Sequence, residues 1–167
     1  MDQTLGRFCD WLAATPFSQL LQTLQWIIPL TQSAHIGAVS IVMGSVIMLD
    51  LKLLGLVGRD VAMASMARRF LPWIWGALAV LLISGALLTT AEPRRELLNV
   101  VYRLKMALIL IAAGATALFA ALVRRRAEAW GSDPSRLVAA RVLAVASLTV
   151  WVAIVVCGRW IAYVEHG

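Results

Sequence analysis

One histidine, His35, lies within a long apolar stretch of the chain, between Gln32 and Leu56. An ionisable side chain inside a bilayer costs free energy unless it is paired or hydrated, so each one is a candidate functional group. Neutral imidazole is a common ligand of transition metals and an axial ligand of haem iron. The sequence therefore predicts that His35 binds haem iron or another metal ion. A hydrogen-bonded structural histidine is the alternative.

Cationic and aromatic side chains occur at a similar depth in two other apolar stretches. Tyr102, Arg103 and Lys105 lie near the start of one stretch, and Arg159 lies near the end of another. If successive spans alternate in direction, these groups and His35 fall in the same half of a bundle. Arginine and lysine pair with carboxylates such as haem propionates. We expect the three cations to surround the propionates and Tyr102 to line the same site, unless the cations reach lipid phosphates by snorkelling.

Small residues form a stripe beside His35. Ser33, Gly37, Ser40 and Gly44 recur at intervals of four, three and four residues, which places them on one helical face. Such a stripe allows a flat ligand or a neighbouring backbone to come close. Gly37 is therefore a candidate cofactor contact, and plain helix–helix packing is the alternative.

A haem with two protein ligands needs a second ligand, and the sequence leaves its identity open. The only other histidine, His166, is next to the end of the chain. Met43, Met48 or Met106, a second copy of the chain, or five-coordinate iron are the remaining options. Because thioether and imidazole ligands also suit Cu(I), a copper site that includes His35 competes with haem.

The composition is that of an integral membrane protein. Of 167 residues, 61% are hydrophobic and only 14% are charged, whereas about a quarter of the residues in soluble domains are charged. A helix needs about 20 residues to cross the hydrocarbon core. Four stretches are long enough, at about 26–56, 70–91, 97–123 and 138–163.

The residues before the first span predict additional short helices. Leu5, Phe8, Trp11 and Leu12 recur at helical spacing, so residues 1–15 are expected to form an amphipathic helix on the membrane surface. Thr15-Pro16 is typical of the start of a second helix. The predicted fold is all-α: a four-helix transmembrane bundle of residues 16–167, preceded by a short N-terminal amphipathic helix.

The basic residues predict the orientation in the membrane. The net charge is +6, and because the basic residues flank apolar spans we interpret them as topological signals and not as a nucleic-acid surface. The predicted cytoplasmic connections hold Lys52, Arg59, Arg68, Arg69, Arg124, Arg125, Arg126, Arg136 and Arg141, and the opposite side holds Arg7, Arg94, Arg95, Arg103, Lys105 and Arg159. This excess places both termini in the periplasm of a bacterial inner-membrane protein.

Asp50 is the one acidic residue well inside an apolar stretch. It lies near the predicted cytoplasmic end of the first span, beside Lys52 in the sequence. We expect it to pair with Arg68 or Arg69, with a proton relay as the alternative.

Four segments carry a resemblance to known proteins. They are SAHIGAVSIVMGSVIMLDLKLLGL, RRFLPWIWGALAVLLISGALL, LLNVVYRLKMALILIAAGATALF and VCGRWIAYVEHG. Over about residues 22–164 the chain resembles an uncharacterised bacterial family of small four-helix membrane proteins. More distantly, it is similar to the copper-resistance D family and to the haem-containing protoporphyrinogen oxidase family of bacteria. In the oxidase family a span histidine and a later lysine serve b-type haem and catalysis, so the resemblance implies these roles for His35 and Lys105.

These observations predict a cytochrome-like membrane protein that holds b-type haem in the periplasmic half of its bundle. It would transfer electrons between a quinone or another membrane partner and a periplasmic protein, either as an oxidoreductase or as an electron-transfer subunit. A homodimer is compatible with the single histidine in the spans. A copper-handling protein of the resistance type and a structural subunit without cofactor are the alternatives.

Overall fold

The computed structural model describes residues 2–58, 60–125, 134–161 and 163. These residues form helices and connecting turns, with no strand in the described ranges. The helices are α1 (Asp2–Ala13), α2 (Pro16–Thr23), α3 (Ile27–Leu53), α4 (Met63–Ala91), α5 (Pro93–Leu97), α6 (Val100–Arg125) and α7 (Pro134–Trp160).

Four of these helices are long and apolar enough to cross a membrane: α3, α4, α6 and α7. The chain is therefore a multi-pass membrane protein, and the predicted all-α membrane fold with a short N-terminal helix is confirmed. Several boundaries differ from those expected by a few residues, and two of these differences have a clear local cause. Helix α4 begins at Met63, before the predicted start at residue 70, because Arg68 and Arg69 continue the helix beyond its apolar part. The third span begins at Val100, after the separate short helix α5.

The four long helices are arranged around a square. Helix α3 packs against α4 and α7, and α6 completes the square between α7 and α4. Within the described residues, the backbones of α3 and α6, on one diagonal, do not approach each other closely, and neither do those of α4 and α7 on the other. His35, Val42 and Leu49 are seven residues apart, so His35 shares the interior face of α3 with two core residues.

The short helices α1, α2 and α5 cover one end of the bundle, which we call the capped end. In helix α2, which starts at the expected Thr15-Pro16 pair, Ser18 donates a hydrogen bond to the Thr90 carbonyl at 2.7 Å. Gln22 donates to the Ala91 carbonyl at 2.9 Å. These carbonyls end α4 and have no partner within a regular helix. The N-terminal helices thus satisfy the end of α4 while covering it.

An ion pair fastens α1 to α5. Arg94 donates to both carboxylate oxygens of Asp10, at 2.5 and 2.8 Å. This hydrogen bond holds the pKa of Asp10 below its usual value. Because the pKa is lower in the folded protein, the stabilisation from this pair is present at neutral pH and is lost as the pH falls through that lowered pKa.

We therefore expect α1 to loosen in acid, while the bundle stays folded because the pair is exposed and contributes little to global stability. Hydrogen exchange of the α1 amides, corrected for intrinsic pH dependence, measures this. Asp10→Asn should give faster exchange already at neutral pH, whereas Asp60→Asn, at the other end of the bundle, should not. Equal exchange in the two variants would show that the ion pair does not hold α1.

Asn99 joins the start of α6 to the end of α7. Its side-chain oxygen accepts a hydrogen bond from the Val101 amide at 2.9 Å, and its amide group donates to the Ile161 carbonyl at 3.3 Å. The residue is only 1% exposed. A buried side chain with both hydrogen bonds satisfied fixes the relative position of the two helix ends.

Asn99→Ala should lower the free energy of unfolding by about 2 kcal/mol, because it removes a helix cap and leaves a buried carbonyl without a partner. Asn99→Ser keeps a cap acceptor but is too short to reach Ile161, so it should recover part of the loss. Denaturant unfolding in detergent micelles measures both variants. Wild-type stability in Asn99→Ala would contradict this role.

Near the opposite end of the bundle, Asp50 does not form the expected ion pair. Asp50 is 5% exposed, its carboxyl group is hydrogen-bonded by Ser147 of α7, and its Oδ2 atom has no partner in the part of the chain that the structure describes. Arg68 instead donates to Ser65 on its own helix. Asp50 lies on the interior face of α3, whereas Arg68 is on the exposed side of α4, so the two side chains point in different directions.

Candidate functional site

His35 is fixed on the interior side of α3 by a serine of α4. Its Nδ1 atom lies 2.7 Å from Oγ of Ser84, which is buried. The same hydroxyl lies 2.6 Å from the carbonyl oxygen of Val80. A carbonyl accepts but never donates, so the serine proton is given to Val80 and the serine oxygen accepts from His35.

This assignment defines the chemical state of the imidazole. The proton of the neutral ring is on Nδ1, which leaves the lone pair of Nε2 free. Histidines that bind metals commonly donate their second ring N–H to an acceptor that orients the ring. His35 has that arrangement, with Ser84 as the acceptor.

Lys105 of α6 lies at the same level of the bundle. Its ammonium group interacts electrostatically with His35 and with Cys157 of α7. The side chain is half-buried and makes no hydrogen bond or ion pair within the described ranges. Its three donors, which have no partner among the described residues, lie close to the membrane interior and are available to an anionic or carbonyl-bearing ligand.

Glycines of the remaining two helices flank this pair. A Cβ atom on Gly85 of α4 would lie 3.7 Å from Cε1 of His35, and one on Gly158 of α7 would lie 3.5 Å from Nζ of Lys105. His35 and Lys105 therefore occupy one diagonal of the square, with a glycine beside each on the other diagonal. We call this four-helix level the His35–Lys105 site.

An acidic residue of α5 lies near Lys105 on the side of the capped end. Burial raises the pKa of Glu96, and the positive charges of Lys105 and Arg95 oppose this effect. Glu96 is the acidic group that interacts with the Lys105 ammonium, although the two do not form a salt bridge. Among the described residues, the Lys105 ammonium thus has a nearby acidic group but no salt-bridge partner.

The other predicted site residues lie around the edge of this level. Tyr102 shares a hydrogen bond of 2.9 Å with Thr89, which links α6 to α4. Arg103 is exposed, since two residues correspond to about 200° of helix rotation from Lys105. Arg159 is also exposed, and its guanidinium lies over the Tyr163 ring at 5.7 Å.

Gly37 does not face the His35–Lys105 site. It is exposed, and a Cβ atom there would meet nothing within 4 Å; the same holds for Gly44. Ser33 and Ser40 are exposed as well and bond to carbonyls of their own helix. The small-residue stripe therefore faces outward from α3, about half a turn away from His35.

The candidate second ligands are not assembled around His35. Met43 and Met48 pack against the hydrophobic core further along α3. His166 lies outside the described residues. In the ranges that the structure describes, no three His, Cys, Asp or Glu side chains form a metal-binding group. The sequence alone did not identify Ser84, Gly85, Cys157 or Gly158 as residues of the site, because such residues are common in the packed faces of apolar helices.

The chain matches a known protein-family model. Residues 8–164 match the model of a family described as a family of unknown function, DUF6644. No curated protein and no solved structure matches the chain significantly.

Proposed function

Because the chain belongs to DUF6644, a family of unknown function, we propose a role from its own residues: it is a membrane-bound b-type haem protein that transfers electrons. The observation that supports this most is the hydrogen bond between His35 and Ser84, which leaves the Nε2 lone pair available. A neutral, oriented imidazole inside a helical bundle is the ligand that haem iron takes in many membrane cytochromes.

The residues at this level fit the chemistry of the group. His35 would hold the iron through Nε2, and Ser84 would hold the ring. Lys105 would pair with a propionate carboxylate, for which its three unpartnered donors are suited. The absence of side chains at Gly85 and Gly158 lets His35 and Lys105 lie close to the backbones of α4 and α7. Haem bound there would supply reversible one-electron chemistry.

The proposal includes a place in the cell and partners. The protein would lie in the bacterial inner membrane with its capped end and both termini in the periplasm, as the excess of basic residues at the other end favours. Its electrons would pass between a quinone and a periplasmic redox protein. The distant similarity to the haem-containing oxidase and copper-resistance D families that we infer from the sequence segments would agree with a redox or metal role. A homodimer is proposed as a source of a second iron ligand.

An optical spectrum with metal analysis of one purified sample tests the proposal. A haem protein shows a Soret band and contains iron. Copper without a porphyrin spectrum would support the copper-handling alternative, in which the free Nε2 of His35 binds Cu(I). Neither metal nor porphyrin, even after incubation with excess haem, would leave a structural subunit as the function.

A further inference from the structure

The His35–Lys105 site is covered on the side of the capped end. Helix α2 is bonded to the end of α4 through Ser18 and Gln22, and α1 is bonded to α5 through Asp10 and Arg94. The adjoining end of α7 is bonded to the start of α6 through Asn99 and Ile161, which are 1% and 7% exposed. A ligand that arrives from water at this end would have to displace these bonded elements.

The site is also closed toward the centre of the membrane. The next layers of the bundle contain Val42, Ile74 and Trp151, which are 1–4% exposed and belong to one continuous hydrophobic core. Close-packed side chains of this kind leave no path for a ligand. Any route to His35 and Lys105 therefore runs between two neighbouring helices.

The four lines of contact between neighbouring helices are not equally tight. In the described residues, α3 packs most extensively against α4, and the α6–α7 and α3–α7 contacts are also extensive. The line between α4 and α6, which we call the α4–α6 seam, has the fewest contacts. Its side-chain link near the site is the hydrogen bond between Thr89 and Tyr102.

His35 and Lys105 are only partly buried despite their interior positions. His35 is in register with the buried residues Val42 and Leu49, yet it is half-buried, as is Lys105. The packing of the four helices therefore leaves both side chains incompletely covered. Since the site is covered at the capped end and closed below, the α4–α6 seam, where the helices pack least, is the side from which a ligand would reach it.

We infer that a lipid-soluble ligand reaches the His35–Lys105 site sideways from the bilayer through the α4–α6 seam, and that its head group is a quinone-type ring whose carbonyl accepts a hydrogen bond from Lys105. The seam lies within apolar spans, so its opening faces lipid and admits an uncharged ligand more readily than an ion. The Thr89–Tyr102 hydrogen bond holds the seam together. The ring is placed on the Lys105 side of the site, beside the haem that the proposed function places at His35, and its use as an electron carrier to that haem rests on the proposed function.

A cysteine reporter at the site tests the route without haem. The chain carries His35→Cys in a background of Cys9→Ser and Cys157→Ser and is reconstituted in lipid nanodiscs. It is then treated with N-ethylmaleimide, which enters lipid, or with a sulfonated, charged thiosulfonate. We expect the maleimide to label the reporter and the charged reagent to label it several-fold more slowly. An Ile36→Cys reporter in the same background is the control. Because Ile36 is exposed toward lipid, it shows how fast each reagent labels a cysteine that needs no route into the bundle.

Two neighbouring threonines provide a matched comparison. Thr89→Ala removes the seam hydrogen bond, whereas Thr90→Ala removes only a bond to the Ala86 carbonyl of the same helix. Maleimide labelling of position 35 should be several-fold faster in Thr89→Ala than in Thr90→Ala. Equal rates in the two variants, or charged reagent labelling as fast as maleimide, would overturn the route. Size-exclusion chromatography of each variant checks that the compared chains are folded. If Thr89→Ala does not fold, Tyr102→Phe removes the same hydrogen bond from the other side and replaces it in the comparison.

Protection by a quinone tests the ligand class. A benzoquinone with a decyl tail, added to the nanodiscs, should slow maleimide labelling of the His35→Cys reporter, and Lys105→Met should remove the protection. Protection that persists in Lys105→Met, or no protection at saturating quinone, would overturn the assigned ligand. Because the reporter chain lacks His35, these results are independent of whether the wild-type chain binds haem.

Discussion

His35→Ala is expected to abolish the Soret absorption of the purified protein. His35 is the histidine that the described part of the chain places in the membrane, and its Nε2 atom is the free imidazole nitrogen at the His35–Lys105 site. Without it, haem would be held only through its propionates and apolar contacts, and it would be lost during purification. The measurement is the ratio of Soret to protein absorbance after expression with a haem precursor.

Two serine variants separate a specific effect on haem binding from a general loss of folded protein. Ser84→Ala keeps the imidazole but removes the acceptor of its Nδ1 proton, and loss of such a supporting partner typically weakens metal binding about 10–100-fold. Ser33→Ala, an exposed serine on the same helix, should bind haem like the wild-type chain. A normal Soret band in His35→Ala would show that His35 does not hold the iron.

Ile74→Ala should produce a large loss of stability. Ile74 is 1% exposed at the centre of the core, and its truncation leaves a cavity between helices. In a bilayer the surrounding lipid is as apolar as the core, so the cost comes from lost packing and not from transfer out of water. We therefore expect about 2 kcal/mol, the lower end of values for such truncations in soluble cores.

Ile83→Ala is the matched control on the same helix. Ile83 is 63% exposed on the outer surface of α4, so its truncation removes contacts with lipid only. Reversible unfolding in mixed detergent micelles measures both variants, and Ile83→Ala should remain near wild type. Similar losses in both would mean that Ile74 is not part of a close-packed interface between the helices.

The fold could be predicted because its signals are local. A span needs only length and apolar composition, and Thr15-Pro16 has the chemistry of a helix start, which the hydrogen bond from the Ser18 amide to Thr15 confirms. The start of α4 was missed because Arg68 and Arg69 ended the apolar pattern, although arginine is a good helix former. The separation of α5 from α6 depends on Asn99, whose partner Ile161 is distant in the sequence.

The candidate site could be predicted only in part. Depth along a helix follows from residue number, and it placed His35 and Lys105 at one level. The direction in which a side chain points follows from its rotation around the helix axis. Arg103 is rotated by about 200° from Lys105, and Gly37 by about 200° from His35, so neither faces the site. The role of Ser84 depends on a contact between α3 and α4, which no spacing within one helix reveals.

The central claim, that His35 holds haem iron through Nε2, is tested most directly by the nuclear coupling of the iron to histidine nitrogen. Protein labelled with ¹⁵N only in histidine is purified with haem, and its electron spin echo envelope is recorded. We expect coupling to a histidine nitrogen that survives His166→Ala and disappears in His35→Ala. An iron centre without histidine coupling, or coupling that remains in His35→Ala, would contradict the claim.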